Sequence, residues 1–210
     1  ADNIFPLIKK FLYSDHEVFL RELISNATDA TLKLHHLVRI GEIKTDIGNP
    51  KIEVKVDKEN KKIHVIDQGV GMTQDEVEKY INEVAFSGAE EFLEKYKDKE
   101  AKDAGIIGHF GLGFYSAFMV AHKVEIFTKS WKDEPAAHWT CEGTTSYTLE
   151  EADKKERGTE IVLHVNDDDA EFLEENRISE LLGKYNKFMP VPIKFGTKEK
   201  ELPKADDAKE

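Results

Sequence analysis

The chain has 210 residues and carries 42 Asp and Glu against 30 Lys and Arg, a net charge of −12. That balance argues against holding nucleic acid or an anionic membrane by bulk electrostatics, though a few backbone amides can still grip a small anion. No apolar run approaches the length of a transmembrane helix, Ala1 to Phe5 do not read as a signal segment, and the lone Cys141 excludes an internal disulfide or a cysteine-based zinc site.

Residues 17–40 read as one long helix. Leu20, Leu23, Ile24, Ala27, Ala30, Thr31 and Leu34 recur at spacings of three and four, Asp15 is placed to cap the start, and Gly41 follows the end. Roughly opposite that stripe, Glu22, Asn26 and Asp29 fall within about 60° of one another at 100° per residue. Such a row is either a solvated helix face or one wall of a polar cleft. In a cleft, a carboxylate can orient water and take its proton, and an amide oxygen one turn on can ligate Mg²⁺.

Ile52, Val54 and Val56, then Ile63 and Val65, alternate on either side of a polar connection, which predicts a hairpin. The second strand runs into Asp67-Gln68-Gly69-Val70-Gly71-Met72. An Asp at a strand end followed by alternating glycines is an ordinary turn, or one where a ligand approaches the backbone closely. Thr73 and Glu76 have capping-box spacing and predict a helix over about 73–86.

Four of the thirteen glycines fall within residues 105–113, just before an apolar helix-like segment to Val120. The stretch reads as a flexible lid or hinge, or as a phosphate cradle at a helix start, and the two roles are compatible. It fits neither the Walker A nor the dinucleotide fingerprint. Strand-like runs follow at 123–129, 137–142, 144–149 and 159–165, then a helical pattern at about 168–188 and an edge strand over 191–195. Trp131, Trp139 and Tyr147 are assigned to core packing. Strands joined by hairpins, with helices in blocks, predict an α+β sandwich with helices covering one sheet face. Residues 1–200 form one domain on this reading, and 201–210 a charged tail or linker. The chain is expected to be a piece of a longer one.

Taken in order, four motifs carry a resemblance. They are Glu22-x-x-x-Asn26-x-x-Asp29-Ala30, Asp67-x-Gly69-x-Gly71-Met72-Thr73, Gly108-x-Phe110-Gly111-x-Gly113-Phe114-Tyr115-Ser116 and Arg157-Gly158-Thr159-Glu160-Ile161. Together they resemble the ATP-binding domain of the ninety-kilodalton heat-shock chaperones, bacterial HtpG type, in the superfamily (GHKL) that also holds gyrase B, MutL and sensor histidine kinases. The likeness runs from about Phe5 to Phe195.

The resemblance implies a two-layer α/β sandwich (Bergerat-type fold) with a mostly antiparallel sheet, binding ATP or ADP between helices and sheet. It implies Glu22 as the general base and Asn26 as the Mg²⁺ ligand. Asp67 would accept the adenine amino group with support from Thr159, and Met72 and Phe114 would flank base and sugar. Gly108, Gly111 and Gly113 would present amides to phosphate within a lid over about 87–113. Asp29, Gly71 and Asn82 complete the nucleotide set. Three positions depart from the family pattern: Phe86 stands where lysine is usual, Tyr80 where asparagine is common, with Asn82 two places on, and His109 where glutamine is frequent.

The implied function is a slow ATPase domain of a cytoplasmic chaperone that assists client folding through nucleotide-driven lid closure. Hydrolysis is expected to be weak in the isolated domain, because the family draws an arginine from its middle segment. The domain alone is expected to be a monomer, with the full-length chain a homodimer that meets clients and cochaperones, but not nucleic acid or membrane. The alternatives are a nucleotide-sensing interaction module without significant hydrolysis, supported by the missing lysine, and a DNA-linked ATPase, which fits poorly with the −12 charge.

Overall fold

The computed structural model describes residues 16–83, 113–143, 146–186 and 190–195. Alternating apolar residues build seven strands: β1 (Ile52–Asp57), β2 (Lys62–Asp67), β3 (Ala121–Lys129), β4 (Ala136–Cys141), β5 (Tyr147–Ala152), β6 (Gly158–Val165) and β7 (Ile193–Phe195). They form one sheet in the order β5-β4-β3-β6-β2-β1-β7. Every neighbouring pair is antiparallel except β1 and β7, which run parallel at the sheet edge. The mostly antiparallel α+β sandwich expected from the sequence is therefore the observed architecture.

Period-two alternation decides which residues face the core. In β2 the buried row is Ile63, Val65 and Asp67; in β3 it includes Val124, Ile126 and Thr128; in β6, Thr159, Ile161, Leu163 and Val165. Register then sets Asp67 opposite Thr159, and Thr159 opposite Thr128. An otherwise apolar sheet face thus carries one polar row across three adjacent strands.

Helix α1 (Val18–Arg39) lays Leu20, Leu23, Ile24 and Ala27 on that face, and α3 (Glu175–Asn186) adds Ile178, Leu181 and Leu182 to the same core. Each fully buried leucine is worth roughly 2 kcal/mol in area removed from water. A smaller cluster of Leu34, Ile43 and Val70, with Trp131 packed against it, fastens the end of α1 to the turn after β2.

Several boundaries differ from the sequence reading. Asp15 lies outside the described residues; Glu17 stands at the start of α1 without a side-chain capping bond and instead pairs with Arg177 of α3. Gly41, at φ +81°, follows the helix as expected. The capping box is complete, with Thr73 Oγ1 accepting from the Glu76 amide at 3.2 Å and Glu76 Oε1 accepting from the Thr73 amide at 3.0 Å.

The helix it opens is not a uniform one, however. Only Gln74–Val77 (α2) is α-helical, and Glu78–Glu83 winds as a π-helix, with 84–86 outside the described residues. The Tyr115 hydroxyl donates to the Ile81 carbonyl, the kind of inserted partner that accompanies widened turns.

The apolar segment after the glycines is a 3₁₀ helix, Gly113–Met119, tightened by the Ser116 hydroxyl bonding the Gly113 carbonyl at 2.6 Å. The pattern over 168–188 splits into a 3₁₀ helix, Asp167–Leu173, and α3, because Glu174 between them is extended. Strand β5 starts three residues later than expected. Trp139 is buried as expected, but Tyr147 is an exposed residue on β5, its hydroxyl bonded to Glu78. Among the described residues no helix is long and apolar enough to cross a membrane. The charged tail 201–210 and nearly all of the expected lid lie outside them.

Candidate functional site

A cavity of about 210 Å³ lies between α1 and the sheet. Six residues singled out in the sequence line it: Asn26 from α1, Asp67 from β2, Gly71 and Met72 from the turn that follows, Phe114 from the 3₁₀ helix, and Thr159 from β6. Aliphatic side chains of α1, β2, β3 and β6, with Val70 of the turn and Ile81 of the π-helix, supply the rest of the wall.

Asp67 is the group that gives the cavity its chemistry. Only 6% of it is exposed, and its Oδ1 accepts the Gly69 amide at 2.9 Å. Burial pushes its carboxyl up to about 6, against the pull of backbone bonds from Gly69 and Thr159 and of the Lys154 charge. A carboxylate so placed has acceptor capacity beyond the bonds from Gly69 and Thr159, which favours a ligand bringing a donor.

The turn that carries Asp67 is held from three sides. The Val70 amide donates to the Ala30 carbonyl at 3.2 Å, and the Trp131 amide to the Val70 carbonyl at 2.8 Å. Arg157 Nε donates to the Gln68 carbonyl at 3.1 Å. Gly71, at φ +65°, brings its Cα so near Lys129 that an added Cβ would lie 1.9 Å from that carbonyl oxygen. Backbone, with no room for a side chain, therefore forms this lip of the cavity.

Sequence reasoning passed over Thr128, which completes the polar row. It is fully buried; the Met72 amide donates to its Oγ1 at 2.9 Å, and that oxygen lies 2.8 Å from Thr159 Oγ1. The available signal was its place in β3, two and four residues after the buried Ile126 and Val124. Threonine is an ordinary strand former, so only the cross-strand register makes that position stand out.

Of the remaining predicted residues, those described, Glu22, Asp29, Asn82 and Gly113, do not line the cavity. Glu22 is half-buried one turn before Asn26; burial raises its carboxyl above the usual range, opposed by Arg21, whose Nη2 lies 3.7 Å away. Its carboxylate abuts Gly113. Asp29 is exposed and does not line the cavity. Asn82 follows Ile81, which does, and its buried Nδ2 has no hydrogen-bond partner among the described residues. Gly108 and Gly111 lie outside the described residues. Among those described, no group of three or more His, Cys, Asp or Glu side chains is placed to hold a metal ion.

Chaperone protein HtpG of Bacteroides thetaiotaomicron is 61% identical over 200 residues, which cover 94% of this chain and 28% of that protein. The same-named protein of Porphyromonas gingivalis is 58% identical, covering 95% and 29%, and that of Sulfurimonas denitrificans 40% identical, covering 100% and 34%. The chain therefore spans about a third or less of the length of these curated relatives. Residues 13–171 match the family described as histidine kinase-, DNA gyrase B- and HSP90-like ATPase. That match takes in the turn after β2, the buried Asp67 and the glycine-flanked cavity against α1, and the chain belongs to this ATPase family.

Proposed function

We propose that this chain is the nucleotide-binding, slowly ATP-hydrolysing domain of an HtpG-type chaperone. One observation carries the reading: a single buried carboxylate, Asp67, sits in a mostly apolar cavity bounded by α1 and a glycine lip, with Asn26 and Thr159 as its other polar side chains. That combination suits a flat heteroaromatic base with one exocyclic amino donor, and adenine has that shape and chemistry. Met72 and Phe114 supply apolar surface for base and sugar. Gly108, Gly111 and Gly113 would offer amides to the phosphates, with 87–113 as the lid, and Asp29 and Asn82 would add polar contacts at the margin.

The donor set around Asn26 fits a magnesium ion held mainly by nucleotide. Mg²⁺ keeps several waters and takes one or two protein oxygens plus phosphate in such sites, so no dedicated side-chain cage is needed. Asn26 would supply the protein oxygen, and the ion, when bound, would offset charge on the phosphates. Glu22, one turn away with its carboxyl raised by burial, would orient a water and accept its proton.

In a longer protein this domain would drive client folding through lid closure, with cochaperones as further partners, in the cytoplasm and as a homodimer. The 210-residue chain itself would be monomeric. A nucleotide sensor without significant hydrolysis is the second reading, favoured by Phe86 at the usual lysine position and by the place of Glu22 outside the cavity lining.

Calorimetry with ATP and ADP, with and without Mg²⁺, tests the reading on the wild type and Asp67→Asn. Binding by the wild type that falls at least tenfold in the variant is the expected result, about 1.4 kcal/mol or more for a lost charged acceptor. Undiminished binding would remove the adenine assignment.

A further inference from the structure

We infer that Thr128, which does not line the cavity, sets the hydrogen-bond polarity of Thr159 and so helps the site discriminate a 6-amino from a 6-oxo purine. The inference rests on reading the cavity as an adenine-nucleotide site, and it concerns a positioning residue within that site.

The polarity follows from counting donors and acceptors. Thr128 is fully buried, and its Oγ1 has two neighbours among the described residues: the Met72 amide at 2.9 Å and Thr159 Oγ1 at 2.8 Å. The amide can only donate, so it occupies one lone pair of Thr128. The Thr128 proton then has one acceptor within reach, Thr159 Oγ1, and a buried hydroxyl proton left unpaired is costly. Thr128 is therefore the donor of that pair and Thr159 the acceptor. With Thr128 as donor, the Thr159 proton has no other acceptor among the described residues, and Thr159 lines the cavity. Its hydroxyl is thus turned to donate inward.

Next to it, opposite in register, stands Asp67, an acceptor when ionised. The cavity floor presents an acceptor and a donor side by side. Adenine carries the complement, an amino donor at position 6 and a ring-nitrogen acceptor at position 1. Hypoxanthine reverses both, with a carbonyl oxygen at 6 and an N–H at 1. A water between Thr159 and the base would relay the same polarity, accepting from the hydroxyl and donating onward. Accepting from Thr128 fills one Thr159 lone pair and strengthens the outward polarity of its O–H; without that bond the hydroxyl donates less strongly and its oxygen accepts more readily from an N–H at position 1.

The test compares ADP with inosine diphosphate by calorimetry on the 210-residue chain, in the wild type, Thr128→Val and Thr128→Ser. Thr128→Val is expected to narrow the ADP preference by about tenfold, the scale of one redirected hydrogen bond. Thr128→Ser, which keeps the hydroxyl, restores it. Equal losses for both ligands, an unchanged preference in Thr128→Val, or a failure of serine to rescue would overturn the inference.

Should the valine variant not fold, hydroxyl-proton exchange in the nucleotide-free wild type decides the matter. A protected Thr128 proton beside a fast-exchanging Thr159 proton supports the assigned polarity, and the reverse pattern overturns it. Loss of ADP preference in Thr128→Val with binding still dependent on Asp67 supports both readings. ADP affinity indifferent to Asp67→Asn removes the nucleotide reading and this inference with it, whereas a preference that depends on Asp67 and ignores Thr128 removes the inference alone.

Discussion

The Glu22 carboxylate lies against the Cα of Gly113, so that a methyl group added there would stand 2.5 Å from Glu22 Oε2. Helix α1 and the end of the glycine-rich stretch therefore meet at a carboxylate and a residue without a side chain. The clashing atom is the far end of a flexible chain, so Gly113→Ala should cost less than about 1 kcal/mol of stability. It should instead push the carboxylate outward. Burial holds the Glu22 carboxyl above its ordinary range, and the displaced group should titrate lower, as followed by carboxyl NMR. An unchanged Glu22 titration in a folded Gly113→Ala protein would contradict the contact.

Asp67 should weaken the nucleotide-free fold at neutral pH. Its carboxyl is pushed from 3.8 up to about 6, chiefly by burial. Between those values the native state binds more protons than the unfolded state, so stability falls as pH rises through that window. The contribution is complete below 3.8 and lost above about 6, and corresponds to roughly 3 kcal/mol. Asp67→Asn does not titrate there. Chemical denaturation from pH 4.5 to 7.5 should show the variant gaining on the wild type up to about pH 6, with no further change above it. Over the same range ADP affinity of the wild type should fall as the solution is acidified, because the acceptor becomes protonated.

Much of this was legible in the residues themselves. Alternation in β2 fixes Asp67 on the same face as Ile63 and Val65, so the buried carboxylate follows from counting by twos. The helical row of Glu22, Asn26 and Asp29 was equally regular, yet only Asn26 lines the cavity. At 1.5 Å per residue that row is about 10 Å long, more than one pocket of this size meets. Thr128 was hidden for another reason: its meaning comes from register with β6, which no local pattern specifies. The π-turn at 78–83 likewise depends on Tyr115, a partner 34 positions away in sequence.

On the sheet face away from α1, Glu125 joins two strands. His138 Nε2 lies 3.0 Å from its Oε1 and His164 Nε2 lies 2.8 Å from its Oε2. Burial pushes the carboxyl up, but the bonds to His164 and His138 outweigh it and hold the group below its ordinary 4.5. A depressed carboxyl contributes stability above its unfolded value and loses it as pH falls through the folded one. Glu125→Gln should therefore cost about 1–2 kcal/mol at pH 7. That deficit should shrink as denaturation is repeated from pH 6 towards pH 3.5; a deficit independent of pH would assign the loss to packing instead.

The segment over the cavity is tied at both ends, and the two ties should fail differently. At the start, Thr73 caps α2, and Thr73→Ala should cost about 1 kcal/mol by freeing the Glu76 amide. At the far end, Tyr115, itself buried, donates its hydroxyl to the Ile81 carbonyl, and Ile81 lines the cavity. Tyr115→Phe keeps the ring packing and removes one donor, leaving a buried carbonyl short of a partner at a cost of about 1–3 kcal/mol. Amide exchange should separate the two cases. Thr73→Ala should speed exchange first at Glu76 and Val77, Tyr115→Phe first within 79–82. Because the two bonds lie on one short element, opening either end weakens the other, so the double variant should lose less than the two single losses combined. Strict additivity would mean that α2 and the π-turn open independently, and that Tyr115 holds only its own end of the cavity wall.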